Sequence, residues 1–217
     1  MAIFLLCFIA HGTSHAGCSS ATPDPSLSVF VEGDVLRVKD TVIAGKMADT
    51  IEKQLTTGSV RLVIFECILG ALASDSKRLM KYFPALTVHV RGGCNSGCAR
   101  LAFSAKKLIL LDSQDPKYPT SLMIHTPYFV FSGRPRTELD LDTLNFYATR
   151  FLGAIPVETL STALTENRKG NYGIIITRDR NDALNVPGIH AYRCKPYPQD
   201  CKPIAGSSLE RLGISSE

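Results

Sequence analysis

Two kinds of apolar pattern alternate along this chain. Ser28 to Glu32 and Val35 to Val38 are short runs rich in β-branched residues, with Gly33-Asp34 as the turn between two strands. Thr41 to Thr56 changes period: Ala44, Met47, Ala48, Ile51 and Leu55 recur at helical spacing, and Gly58 closes the helix. Arg61 to Phe65 reads as a buried strand, and Cys67-Ile68-Leu69-Gly70 as a turn. Leu72, Ser76, Leu79, Met80 and Phe83 then share one face of a second helix. Leu86 to Val90 is the next strand. A glycine turn, Arg91-Gly92-Gly93-Cys94-Asn95, follows it, and Ser96 opens a small apolar helix reaching Ala105.

Further on, Lys107 to Leu111 and Ser121 to His125 are strands around the loop Asp112 to Thr120. Asp140 to Leu152 is a helix with Leu141, Leu144, Tyr147, Ala148 and Phe151 inward, and Pro156 opens another as far as Thr165. Gly173 to Thr177 is a last strand, Arg178 to Leu184 is mixed polar, and the end of the chain looks loose. Strand and helix alternate from residue 35 to about 125. That order predicts an α/β architecture, with right-handed crossovers onto a largely parallel sheet. No internal repeat or linker interrupts it, so one domain is expected.

Composition narrows the function classes. The 217 residues are 45% hydrophobic and 20% charged, ordinary values for a globular chain. Net charge is only +4, and Lys and Arg are scattered, which argues against nucleic-acid binding. Met1 to Ala10 is an apolar run too short to span a bilayer, followed by Ser14-His15-Ala16 with small residues where a signal peptidase reads them. This predicts a signal peptide over residues 1–16 and a flexible leader over 17–27, although no Lys or Arg precedes the apolar run. The expected location is the periplasm or the exterior, with no membrane span in the mature chain. His15-Ala16-Gly17-Cys18 keeps a lipoprotein site open as the lesser alternative.

There are seven cysteines; loss of Cys7 with the signal peptide would leave six, an even number suited to an oxidising compartment. Cys194 and Cys201 bracket a Pro-rich loop and are the first disulfide candidates. Cys94 and Cys98 flank Ser96 symmetrically and are the second; if bonded, they would stiffen the turn around it. The spacings do not suit a zinc site, and neither a metal nor a cofactor is expected.

Candidate chemistry lies at strand ends, where α/β sheets gather reactive groups. Ser96 follows one strand and His125 ends another; His89 lies inside a strand and His190 near the end of the chain. A hydroxyl opening a helix faces unpaired N–H groups, which suits a developing oxyanion and equally an ordinary N-cap.

Cys94-Asn95-Ser96-Gly97-Cys98-Ala99 followed by Leu122-Met123-Ile124-His125-Thr126-Pro127 resembles the Clp protease proteolytic subunit and its crotonase-fold relatives. Cysteines on either side of the serine are more like exported, poorly characterised members with a C-x-S-x-C motif. The resemblance implies a ββα superhelix over residues 28–190, followed by a tail over 191–217 with the Cys194–Cys201 loop. It implies Ser96 as nucleophile, His125 as general base and Asp179 as the orienting carboxylate, with Asp182 as fallback. Gly97 would supply one oxyanion donor. The turn supplying the other has Leu69 beside Gly70 where the family has two glycines, and a bulky side chain there would narrow the approach.

The implied activity is serine hydrolysis of a peptide or protein substrate, with homo-oligomers as a further implication. A non-catalytic binding or assembly module on the same fold is the alternative. Acyl-CoA chemistry, also hosted by this fold, is disfavoured: an exported protein rarely meets that cofactor, and no acidic pair is placed for proton abstraction.

Overall fold

The computed structural model describes residues 28–113, 119–125, 140–165, 173–178, 186–195 and 200–215. Among these, nine strands form one sheet. They are β1 (Val29–Glu32), β2 (Val35–Ile43), β3 (Leu62–Ala71), β4 (Thr87–Asn95), β5 (Lys107–Leu110), β6 (Ser121–His125), β7 (Gly173–Thr177), β8 (Ala191–Cys194) and β9 (Cys201–Pro203). The sheet order is β1-β2-β3-β4-β6-β7-β8-β9, with β5 also paired to β4. β2, β3, β4, β5 and β6 run parallel, while β1 and the β7-β8-β9 end are antiparallel. The α/β class and the mainly parallel centre therefore agree with the alternation of apolar patterns.

β4 serves two neighbours in turn. Thr87 to Val90 pairs with β5, and Gly93 to Asn95 pairs with β6. The second half of β4 thus delivers its carboxyl end beside β6. Alternate residues Val63 and Phe65, Val88 and Val90, and Leu122 and Ile124 point into one core and are almost completely buried.

Five α-helices are described: α1 (Lys46–Thr56), α2 (Ala73–Leu79), α3 (Gly97–Phe103), α4 (Leu141–Phe151) and α5 (Val157–Thr165), with a 3-10 turn over Met80–Ala85 after α2. α3 is central, because Cys98, Ala99, Leu101, Ala102 and Phe103 are all buried. Phe103 meets Tyr147 and Phe151 of α4 edge-on, at centroid distances of 6.1 and 5.0 Å. Such contacts add directional preference to the burial. α1 and α2 are joined through Arg78, whose guanidinium bonds Asp49, Glu52 and Asp75.

Four expectations need correction. The glycine turn expected after Val90 is strand, because β4 continues to Asn95 in pairing with β6. The helix expected from Thr41 starts at Lys46, because β2 continues to Ile43 in register with β3 as far as Ala71. The segment Cys67 to Gly70 is not a turn. It is strand, interrupted by a bulge at Cys67, whose φ is 55°. The chain end is not loose either: Leu212 and Ile214 are buried in the main core, and Ser215 bridges to Ile109. The disulfide Cys194–Cys201 joins β8 to β9, as expected from the loop it closes. Residues 1–27 lie outside the described residues. Among the described residues no helix is long and apolar enough to cross a membrane.

Asp140 fixes the start of α4. Its carboxylate accepts from the N–H groups of Asp142 (3.1 Å) and Thr143 (3.3 Å) and from the Thr143 hydroxyl (2.6 Å). Burial pushes this carboxyl up, but the hydrogen bonds from Thr143 and Asp142 and the charge of Arg100 together outweigh it and hold the group below its ordinary value. A depressed carboxyl contributes stability at neutral pH and loses it as pH falls through the folded-state value. Asp140→Ala should therefore cost about 1 kcal/mol in urea unfolding at neutral pH. The difference from wild type should shrink as the medium is acidified below the carboxylate range.

Candidate active site

The parallel strands β2, β3, β4 and β6 end along one edge of the sheet, and the candidate residues lie there. Ser96 follows directly on β4 and precedes α3. An ordinary capping serine has extended backbone angles, and its oxygen accepts from an N–H in the first turn. Ser96 does neither. Its φ is 56° and ψ −120°, and its side chain makes no capping bond. Among the described residues its hydroxyl has no hydrogen-bond partner.

That conformation is unfavourable for a residue with a Cβ. The same chain shows the cheaper solution. Gly45, which opens α1 after β2, has nearly the same angles, φ 51° and ψ −125°. Two strand-to-helix turns share one backbone shape; one uses the residue without strain and the other carries a hydroxyl.

Several contacts hold the turn. The Ser96 N–H donates to the Met123 carbonyl of β6 at 2.8 Å, and the Arg100 N–H donates to the Ser96 carbonyl at 3.2 Å. Gly97 sits hard against the end of β3: a Cβ there would lie 2.6 Å from the Ala71 carbonyl oxygen and 2.9 Å from the Ala71 Cβ. The buried Ser76 hydroxyl of α2 donates to the Gly97 carbonyl at 3.2 Å. Cys94 and Cys98, both fully buried, are joined by a disulfide across Ser96, with an S–S distance of 2.06 Å. Cys67 is disulfide-bonded as well.

His125 ends β6 opposite Gly173 of β7 and is half-buried. It lies two residues beyond Met123, whose carbonyl receives the Ser96 amide. Two strand residues span about 7 Å. Ser96 and His125 therefore share one sheet edge. Gly70 backs onto Ser96: a Cβ on it would fall 3.9 Å from the Ser96 Cβ. The Leu69 side chain is 53% exposed, so it projects into solvent.

Asp179, Asp182, Thr126 and Pro127 lie outside the described residues. Immediately before Asp179, Thr177 pairs with Ser121, and the Arg178 N–H donates to the Thr120 carbonyl at 3.0 Å. This is the end of β6 opposite His125. Arg178 also forms an ion pair with Asp112. His190 is used elsewhere, its Nδ1 lying 3.0 Å from the Thr177 carbonyl.

Two residues were not singled out from the sequence. Ser76 had a legible signal, a hydroxyl on an otherwise apolar helix face. Asn95, only 5% exposed and in register with Met123, had none beyond its place next to Ser96. A cavity of about 260 Å³, lined by residues including Leu55, Val60, Arg61, Lys81 and Tyr82, lies at the amino ends of β3 and β4, away from Ser96. Among the described residues no group of three His, Cys, Asp or Glu side chains could hold a metal ion.

No protein-family profile matches the chain, and no curated protein does. Among solved structures it is similar to a variant of ClpP1 from Listeria monocytogenes at 14% identity and a TM-score of 0.35, over 61% of this chain and 74% of that one. It is similar also to a protein described as an enoyl-CoA hydratase/isomerase from Acinetobacter baumannii, at 14% identity and a TM-score of 0.40 over 69% of each chain. A protein described as an enoyl-CoA hydratase from Streptomyces coelicolor A3(2) matches at 14% identity and a TM-score of 0.33, over 92% of this chain and 71% of that one. These are likenesses of fold; the architecture given above rests on the strand order and pairing.

The abutment of Gly97 makes a sharp prediction. Gly97→Ala must move Ala71 backbone, and should destabilise the protein by about 1–3 kcal/mol and disturb Ser96. Gly93→Ala is the control: its Cβ would come no closer than 3.8 Å to Asn95. It should stay within about 0.5 kcal/mol of wild type in the same unfolding experiment.

Proposed function

We propose that this chain is an exported serine hydrolase acting on peptides, with Ser96 as nucleophile and His125 as general base, on a ββα architecture of the Clp protease and crotonase type. The observation that carries this reading is the backbone of Ser96. A hydroxyl is kept at φ 56° where the equivalent turn uses Gly45, and it is not spent on capping. Sharp strand-to-helix turns that expose a serine are a recurrent way to present a nucleophile.

In this mechanism the Ser96 Oγ attacks the substrate carbonyl carbon as His125 takes its proton. The oxyanion is held by the Gly97 N–H and by an N–H from the Leu69-Gly70 end of β3. His125 returns the proton to the leaving amine, and water, activated by the same imidazole, hydrolyses the acyl-enzyme. The Leu69 side chain, which projects into solvent, supports the reading.

The Ser-His pair is the essential part. Asp179 is its third member by sequence resemblance. Export is supported by the disulfides among the described residues, which form and persist in oxidising compartments. Self-association belongs to the same proposal, with exposed Leu141 and Leu152 at the two ends of α4 as the surface to test by light scattering.

Labelling by a fluorescent fluorophosphonate tests the roles. Ser96→Ala should abolish it, and His125→Ala should slow it by about 10²–10⁴-fold. Asp179→Ala should slow it less than His125→Ala. Undiminished labelling of Ser96→Ala would end the hydrolase reading.

A further inference from the structure

The disulfide across Ser96 has a more specific role than general stability. Cys94 is the second residue before Ser96 and Cys98 the second after it, so the bridge closes a five-residue loop around the strained position. Gly45 has the same backbone shape and no cysteine within two residues of it, and a glycine meets little resistance there. Of the described residues other than glycine, only Cys67, Ser96 and Leu152 have positive φ. Cys67 is itself disulfide-bonded, and it lies in β3 three residues before Gly70, the residue that backs onto Ser96. At this edge of the sheet, strained backbone and covalent cross-links coincide.

The remaining restraints on Ser96 are single hydrogen bonds and one steric stop. The Met123 carbonyl holds the peptide before Ser96, the Arg100 amide and the Ser76 hydroxyl hold the carbonyls of Ser96 and Gly97 after it, and Ala71 stops Gly97 from one side. Each of these acts on one side of Ser96 alone. The bridge is the covalent link that spans it, since it ties the end of β4 to the first turn of α3 on the buried side.

We propose that the Cys94–Cys98 disulfide is a positioning clamp for Ser96, so that the site becomes competent only when these two thiols have been oxidised. This rests on the hydrolase reading for its chemical consequence but not for its structural one. Oxidation is a thiol–disulfide exchange: one S–S bond forms between Cys94 and Cys98, and one breaks in a disulfide-bearing oxidant. The two cysteines give up two protons and two electrons, and the oxidant leaves as two thiols. A chain whose two thiols stay reduced would fold with Ser96 relaxed and unreactive. Because both sulfurs are buried, the clamp once set is protected from external thiols.

The experiment couples the bridge to the strain. Thermal unfolding is measured for wild type, Ser96→Gly, Cys94→Ala/Cys98→Ala and the triple variant, and the fluorophosphonate labelling rate is measured for the two forms that keep Ser96. Cys94→Val/Cys98→Ala replaces the alanine pair if that pair does not fold. With the bridge present, Ser96→Gly should raise Tm by about 2–4 °C, the size expected from releasing one strained residue. Without the bridge the same substitution should give no rise, because Ser96 has already relaxed. Labelling of the bridge-less protein should fall by about 10²-fold at temperatures well below its Tm, the scale of a small misplacement of the nucleophile. An equal Tm response to Ser96→Gly in both backgrounds overturns the clamp, whatever the labelling does. A wild type that is never labelled, with the Tm coupling intact, removes the hydrolase reading and leaves the clamp standing.

Discussion

Gly97 has no room for a side chain, and the carboxyl edge of the sheet depends on that fact. Its backbone lies against Ala71 so closely that a Cβ would sit 2.6 Å from a carbonyl oxygen. The contact seats the first turn of α3 on the end of β3. With α3 seated, Leu101 and Phe103 enter the core, and Phe103 meets Phe151 of α4. In the other direction along the chain, the same seating leaves Ser96 to make the whole change of direction between β4 and α3. With the Cys94–Cys98 bridge closed across it, the residue in that place makes the turn at positive φ.

The energetics favour the arrangement despite the local penalty. A residue other than glycine in such a conformation costs of order 1–3 kcal/mol. Burying a Leu or Phe side chain returns about 1.5–3 kcal/mol, and α3 buries one of each. The packing of α3 thus offsets the strain at its own start, and the disulfide adds a restraint that does not depend on packing. A preorganised hydroxyl is the gain: the nucleophile is already presented before a substrate arrives, so less reorganisation accompanies the reaction.

Much of the fold was legible because the strands declare themselves by pattern. Val63 and Phe65, Val88 and Val90, and Leu122 and Ile124 alternate or run apolar as buried strands must, and the helical period between them is clear. What was missed depends on partners distant in sequence. Val42 and Ile43 are strand because β3 extends far enough to pair with Gly70 and Ala71 opposite them, which no local preference states. Cys67 to Gly70 has turn composition, yet it remains strand by absorbing one extra residue in a bulge. The end of the chain reads as polar and loose; two residues, Leu212 and Ile214, dock it.

The candidate site divides in the same way. Ser96, His125 and the bracketing cysteines could be chosen from residue types and strand ends. The positive φ of Ser96, the abutment on Ala71 and the buried Ser76 hydroxyl could not, since each arises from β3, α2 and α3 meeting at one point. Ser96 as a presented nucleophile is tested most directly by locating a covalent adduct. Trypsin releases residues 92–100 as one peptide, in which Ser96 is the only hydroxyl-bearing residue. After reaction with a fluorophosphonate, reduction and alkylation, mass spectrometry should find a single phosphonyl group on that peptide. An adduct on any other peptide, or no adduct on the oxidised protein, would contradict the assignment.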